Sequence, residues 1–375
     1  MKNIHKRYLS LGLMSGTSGD GVDASLIYSN GLNEYESIKD KYFEYDNEIY
    51  KSFHNIKDKI NNKKDLKKLN SEILDLERKI TIFHAKVIKD LNLSDKDFLI
   101  GFHGQTLYHN SKEKISLQLG DAKLLFQLIK KKIVSKFRNK DILNGGEGAP
   151  FTPIFHHLIG LQKKIELPIC FLNIGGISNI TIVRSLEIEK IFSRYIGPGN
   201  CLIDNWVRKN SKLKYDQNGK LAMIGKRNDI FLEQAQELYN YRKNKTKISF
   251  DVNDFDISFA RGLSLEDGAR TLTDFTTDII CDSLITVFSK LKIEIKNILL
   301  CGGGRKNKFL ITKMRERFKS KINFKMIDNY EIDGDFVESQ AFAFLAIRSY
   351  KNIPISYPNT TGCNKPTVGG EIIEN

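Results

Sequence analysis

Three glycine-dense turns and a few polar residues are the positions in this 375-residue chain whose types and spacing could do chemistry. Leu9 to Tyr28 reads LSLGLMSGTSGDGVDASLIY. Leu9, Leu11 and Leu13 alternate with Ser10, Gly12 and Met14, a turn runs through Gly16-Thr17-Ser18-Gly19-Asp20-Gly21, and Val22, Ala24, Leu26 and Tyr28 return. Glycines that take positive φ let backbone N–H groups converge on an anion, so this strand–turn–strand can grip phosphate, with an aspartate inside the turn. An ordinary tight hairpin is the plain alternative, because a short glycine motif is weak evidence alone. Asn173-Ile174-Gly175-Gly176-Ile177-Ser178-Asn179 repeats the plan. Two such hairpins, one per lobe, could hold a nucleotide's phosphates from both sides. In the third turn, Gly302-Gly303-Gly304 follows the apolar run Ile298 to Cys301 and precedes a helix over Asn307 to Phe318. Glycine there would let a flat base approach the backbone.

Between these turns lie His103, at the end of the run FLIGFHG, and Arg138, which leads into Gly145-Gly146-Glu147-Gly148-Ala149-Pro150. His103 reads either as a cleft residue or as a core histidine bonded to backbone. The glycine loop reads as a cleft wall or as a structural connection. Gly197-Pro198-Gly199-Asn200 leads into a helix from Cys201, whose free N–H groups would favour an anion.

The elements that must position these residues follow from periodicity. Three- and four-residue steps from Leu66 to Phe83 predict one long helical region over Lys51 to Leu91, with Lys57 to Lys68 as its solvated face. Strands are expected over Phe98–Gly104 and Ile133–Phe137, and helices over Ala122–Lys131, Leu263–Leu291 and Asp335–Ser349. The last is rich in small residues, Ala341, Ala343 and Ala346, which permit close packing.

Hydrophobic content of 41% with 28% charged residues describes a globular chain, and the length suggests two lobes. The net charge of +14 is spread along the whole sequence without a basic, aromatic-interleaved stripe, so no nucleic-acid partner is expected. The five cysteines, Cys170, Cys201, Cys281, Cys301 and Cys363, are an odd number without a C-x-x-C pair, which suits reduced thiols in a cytoplasm. The apolar run after the basic start is too short for a secretion signal, and no stretch approaches the ~18 apolar residues of a membrane span.

Taken in order, GLMSGTSGDGVD, HGQT, FRNKD with GGEGAP, NIGGISN, GPGNCLID, CGGG and VESQAFAFLA cover nearly the whole chain. This ordered set closely resembles the 1,6-anhydro-N-acetylmuramic acid kinases of the actin/hexokinase/Hsp70 superfamily. The resemblance implies an α/β, two-lobed actin-like ATPase fold of ribonuclease H-like type with a central nucleotide cleft. The lobes would be residues 1–140 with 340–375, and 141–339. It implies ATP and Mg²⁺ as cofactors, and phosphorylation at O6 coupled to hydrolytic opening of the anhydro bridge, in cytoplasmic peptidoglycan recycling. A homodimer is implied at family level.

By the same resemblance Gly16, Thr17, Ser18, Gly19, Asp20, Gly21, Val22 and Asp23 would hold the ATP phosphates, with Asp20 serving the magnesium. Asn173, Gly175 and Gly176 would form the second phosphate loop, and Gly302, Gly303 and Gly304 the adenosine turn. His103, Gln105, Arg138 and Glu338 would lie on the sugar side, with Glu338 also catalytic. The family's water-activating aspartate stands two residues before Gly-Pro-Gly-Asn, and here that place is held by Tyr195. A phenol with a pKa near 10 is a poor base at pH 7. Asp204 is a conceivable substitute, although on a helix start it would rather brace the loop. An alternative reading is therefore a catalytically impaired relative that binds ATP and an amino sugar. A conventional kinase for the open-ring sugar is a third. Smaller departures are Gly19, Glu147 for the usual Gln, and a Pro-Pro-Lys-Ser stretch reduced to Lys247-Ile248-Ser249.

Overall fold

The computed structural model describes residues 6–374 except 94–96, 112, 244–254, 256 and 320, so Lys247-Ile248-Ser249 lies outside the described residues. In chain order the elements are β1 (Tyr8–Ser15), β2 (Gly21–Ser29), β3 (Tyr35–Glu44), α1 (Asn47–Asp58), α2 (Lys63–Lys68), α3 (Asn70–Asp90), β4 (Leu99–Asn110) and β5 (Ile115–Leu119). Next come α4 (Ala122–Ile129), β6 (Ile133–Ser135), α5 (Asn139–Leu143), α6 (Pro153–Gln162), β7 (Ile169–Ile174), β8 (Ile177–Val183), β9 (Phe192–Pro198) and α7 (Cys201–Asn210). The chain continues through α8 (Lys220–Ile224), α9 (Asp229–Lys243), α10 (Leu265–Leu291), β10 (Asn297–Cys301), α11 (Lys308–Arg317) and β11 (Asn323–Met326), and ends with α12 (Val337–Tyr350), α13 (Pro358–Thr361) and β12 (Glu371–Ile373).

Two compact units result: Met1–Gln162 with Phe336–Asn375, and Lys163–Asp335. In the first, the sheet order is β12-β6-β4-β1-β2-β3, with β5 added to β4. The strands β1 and β3 each run antiparallel to β2 between them, whereas β4 runs parallel to β1 and β6 parallel to β4. In the second, the order is β11-β10-β7-β8-β9, with β7, β8 and β9 antiparallel and β10 and β11 parallel to β7 and to each other in turn. Each unit thus has three antiparallel strands followed by two parallel ones, in one spatial order. This is the ribonuclease H-like arrangement, present twice, and the fold is α/β of the actin-like ATPase type.

The hydrophobic core of the first unit gathers Leu11 and Leu13 of β1, Phe53 of α1, Ile80 of α3 and Phe102 of β4. The helix α12 is buried from Val337 to Ser349 apart from Glu338, which explains its small residues. It presses against the sheet at Gly12 of β1 and Gly101 of β4, which lie side by side in register. A Cβ on Gly12 would collide with the Ser339 carbonyl oxygen, and one on Gly101 with that of Phe342. The second unit has one core under β7, β8 and β10 and another among α7, α9 and α10, which includes Trp206 and Phe275.

Two expectations change. The single long helix over 51–91 is three helices, because Asn62 accepts from the Lys64 N–H while Asp65 accepts from the Asn62 N–H, and this capping box starts α2 afresh. The chain also stays in the first unit past residue 140. The buried Asp141 carboxylate accepts from Ser356 Oγ at 2.5 Å, Thr361 Oγ1 at 2.7 Å and Gly148 N–H at 2.8 Å. The Gln162 side chain then exchanges two hydrogen bonds with the Tyr35 backbone, at 2.9 and 2.7 Å. The return at Phe336 is tied in by Ser339, whose hydroxyl meets Ser25 Oγ at 2.6 Å. Among the described residues no helix is long and apolar enough to cross a membrane, and all five cysteines are free thiols.

Candidate active site

In the first unit the turn between β1 and β2 closes through Gly19 N–H donating to the Gly16 carbonyl at 3.1 Å. Gly19 has φ +69°, and a Cβ there would collide with the Phe53 ring of α1, so glycine is required on both counts. Thr17 and Ser18 are exposed, while Asp20 and Asp23 are half-buried. The Lys57 ammonium from α1 donates to the Thr17 carbonyl at 2.8 Å, so this lysine of the expected solvated face reaches the turn. Beneath the turn, Ser15 Oγ lies 3.0 Å from Tyr45 Oη and 3.5 Å from His84 Nε2. His84 Nδ1 donates to the Ile80 carbonyl at 2.8 Å, and burial pushes this imidazole down to about 4, so Nε2 is a bare acceptor.

His103 and Arg138 come together. His103 Nδ1 donates to the Gly104 carbonyl at 2.7 Å, which leaves Nε2 to accept from Arg138 Nε at 3.3 Å and Nη2 at 3.0 Å. Arg138 Nη1 reaches the Gly148 carbonyl at 3.3 Å, so the GGEGAP loop borders the same guanidinium. Burial, and then the Arg138 charge, hold His103 well below the usual histidine range, and the same causes push His109 down to about 3. His103 is thus a neutral prop for Arg138. The Phe342 ring of α12 lies 4.5 Å from the His103 ring. Glu338, half-buried in the first turn of α12, sits four residues before Phe342 on the same helical face.

Gln105 has a different address. Its Nε2 donates to the Gly16 carbonyl at 2.8 Å and its side chain is fully buried, so it meets the first glycine turn.

In the second unit, Cys301, Asn173, Asn179 and Tyr195 stand in one row across β10, β7, β8 and β9. A register shift in β9, from Ser178–Gly197 to Asn179–Tyr195, makes Ile196 the extra residue and brings the half-buried Tyr195 beside Asn179. The backbone N–H groups of Gly199, Asn200 and Cys201 donate to the carbonyls of Gly176, Gly175 and Gly176 at 2.9, 2.8 and 3.1 Å. At the start of α7 the Cys201 N–H is thus taken by the second glycine hairpin rather than left for an anion. Asp204 lies in the first turn of that helix, its N–H donating to the Asn200 carbonyl at 2.8 Å.

Gly302 has φ +76°, and a Cβ there would collide with Asn173 Oδ1, so the second hairpin and the glycine triplet are built against each other. Arg305, only 4% exposed, anchors this turn. It donates to Asp328 from Nε at 2.8 Å and Nη2 at 2.9 Å, to Asp335 at 2.5 Å and to the Gly302 carbonyl at 3.2 Å. Burial alone would lower the guanidinium, but its hydrogen bonds to Asp328 and Asp335 outweigh that and hold it protonated.

A family model described as anhydro-N-acetylmuramic acid kinase matches residues 7–375. The chain belongs to the anhydro-N-acetylmuramic acid kinase family. An anhydro-N-acetylmuramic acid kinase of Pelagibacter ubique (strain HTCC1062) is 52% identical over 374 residues, covering 99% of this chain and all of its own length. One of Zymomonas mobilis subsp. mobilis (strain ATCC 31821 / ZM4 / CP4) is 33% identical, covering 97% of this chain and 99% of its own. One of Brucella canis (strain ATCC 23365 / NCTC 10854 / RM-666) is 34% identical, covering 96% and 97%. The anhydro-N-acetylmuramic acid kinase family is one of phosphotransferases.

Four residues that shape the turns have no such role in the sequence reading: Phe53 and Arg305, Lys57, read there as solvated, and Asp141, read only as a neighbour of Arg138. None of these contacts is signalled locally, since each residue acts on a partner at least seven residues away along the chain.

Proposed function

We propose that this protein is an ATP-dependent kinase that opens the 1,6-anhydro bridge of anhydro-N-acetylmuramic acid while phosphorylating O6, in cytoplasmic peptidoglycan recycling. In the balanced step, water adds to C1 and the C1–O6 bond breaks. O6 bonds to the γ-phosphorus, the bond to ADP breaks, and a proton leaves the water. The products are N-acetylmuramate 6-phosphate and ADP. Because O6 is blocked by the bridge, no hydroxyl needs deprotonating there; the base works at C1.

The residues divide by chemistry. Gly16 to Asp23 offer N–H groups to the phosphates, as do Asn173, Gly175 and Gly176, and Gly302 to Gly304 receive the adenosine. Asp20 would hold a magnesium ion, whose charge neutralises phosphoryl oxygens. The donor set fits: Asp20 is a half-buried carboxylate within a glycine turn. Magnesium commonly binds through one or two carboxylates plus phosphate and water. Arg138, propped by neutral His103, and Glu338 serve the sugar, and position 195 sets how well water is activated.

The observation that carries this reading is the family match along residues 7–375. Purified protein incubated with the anhydro-sugar, ATP and Mg²⁺ should release sugar phosphate and ADP in equal amounts. Absence of sugar phosphate at high enzyme concentration would defeat it.

A further inference from the structure

A register shift decides where Gln105 lies. β1 and β4 run parallel with Leu13 opposite Phe102, but the next pair is Met14 with Gly104, which leaves His103 as the extra residue. Gln105 therefore comes to rest beside Ser15, the last residue of β1, and its Nε2 donates to the Gly16 carbonyl at 2.8 Å. The side chain exposes no surface, so a sugar hydroxyl has no room to touch it. Its Oε1 is buried as well and has no hydrogen-bond partner among the described residues. A buried, unpartnered amide oxygen is unfavourable, and methionine would fill the same space without it. What glutamine adds at this place is one N–H donor aimed at the turn.

The Gly16 carbonyl also accepts from the Gly19 N–H at 3.1 Å, so both its lone pairs are engaged. In a trans peptide the C=O and the following N–H point in opposite directions. Holding the Gly16 oxygen against Gln105 therefore turns the Thr17 N–H away from β4.

We propose that Gln105 is a positioning residue of the first phosphate loop, fixing the Gly16–Thr17 peptide so that its N–H is set for a nucleotide phosphate before the nucleotide arrives. This replaces the sugar-side role implied by resemblance, and it rests on the kinase reading of the turn.

The test uses full-length protein, with ADP titration by calorimetry in the absence of sugar, and KM values for ATP and anhydro-sugar. Gln105→Met, which keeps the shape and loses the donor, should weaken ADP binding and raise KM for ATP about five- to tenfold, leaving KM for the sugar within about twofold. Gln105→Glu has no donor as a carboxylate and regains one when protonated, so its ADP affinity should recover as pH falls relative to wild type. That profile decides the matter if Gln105→Met fails to fold. A raised sugar KM with unchanged ADP affinity, or unchanged values throughout, overturns the proposal while the kinase reading stands. If wild-type protein binds no ADP, both fall together.

Discussion

Arg138 reaches a single acceptor, Nε2 of His103, with two guanidinium nitrogens, Nε at 3.3 Å and Nη2 at 3.0 Å. The opposite ring nitrogen is held by the Gly104 carbonyl, so this imidazole is fixed in one tautomer and orientation. A histidine that sequence alone leaves open between cleft residue and core filler is a neutral support for a cation. The planar fork should therefore matter more than the charge.

Arg138→Lys keeps the charge and loses the fork. Its kcat/KM for the anhydro-sugar should drop about 10- to 100-fold, with KM for ATP within about twofold. Steady-state kinetics with each substrate varied in turn checks this, and an ATP-side defect would contradict it.

Buried histidines should make the fold acid-sensitive. Burial pushes His84 down to about 4 and His156 down to about 3, and burial with Arg138 pushes His109 down to about 3 and His103 well below the usual range. With folded values below the unfolded ~6.5, the unfolded chain binds more protons in that window. Stability is complete above about pH 6.5 and is lost as pH falls toward the folded values. Thermal melts across pH 8 to 5 should show a plateau and then a steep decline, and His156→Gln should make the decline shallower.

Removing Arg305 strands the carboxylates it gathers. Arg305→Met should destabilise the protein by about 2 kcal/mol, less than breaking a fully buried pair, because Asp328 and Asp335 are 41% and 31% exposed. Urea unfolding gives this number. Calorimetry should also show weaker ADP binding, since Arg305 holds the Gly302 carbonyl directly.

Tyr195, in register with Asn179, stands two residues before Gly197-Pro198-Gly199-Asn200, where the family resemblance implies a water-activating aspartate. Tyr195→Asp should raise the rate of ring opening by about 10²-fold or more. Coupled ADP release with the anhydro-sugar measures it, and an unchanged rate would mean that another base is in use.

Much of this was legible in residue order because the signals are local. Alternation from Leu9 to Leu13 with glycines after it makes a hairpin in any context, and the second hairpin at Asn173 repeats it. The motif order sufficed to reach the family. Beyond the repeated hairpin, the common sheet order of the two units was not legible in residue order, since only strand pairing reveals it.

The chain by itself determined most of the strands and helices around the site, the glycine turns and the presence of tyrosine at position 195. Only the tertiary structure decided that Asp141 ties residues 141–162 to the first unit, that Arg305 collects the aspartates of a loop more than twenty residues on, and that Gln105 meets Gly16. The physical reason is common to all three. Each is a polar side chain brought by packing to a backbone or side-chain group distant in sequence, and the one-residue register shift at His103 that directs Gln105 arises from strand pairing rather than from any pattern within β4.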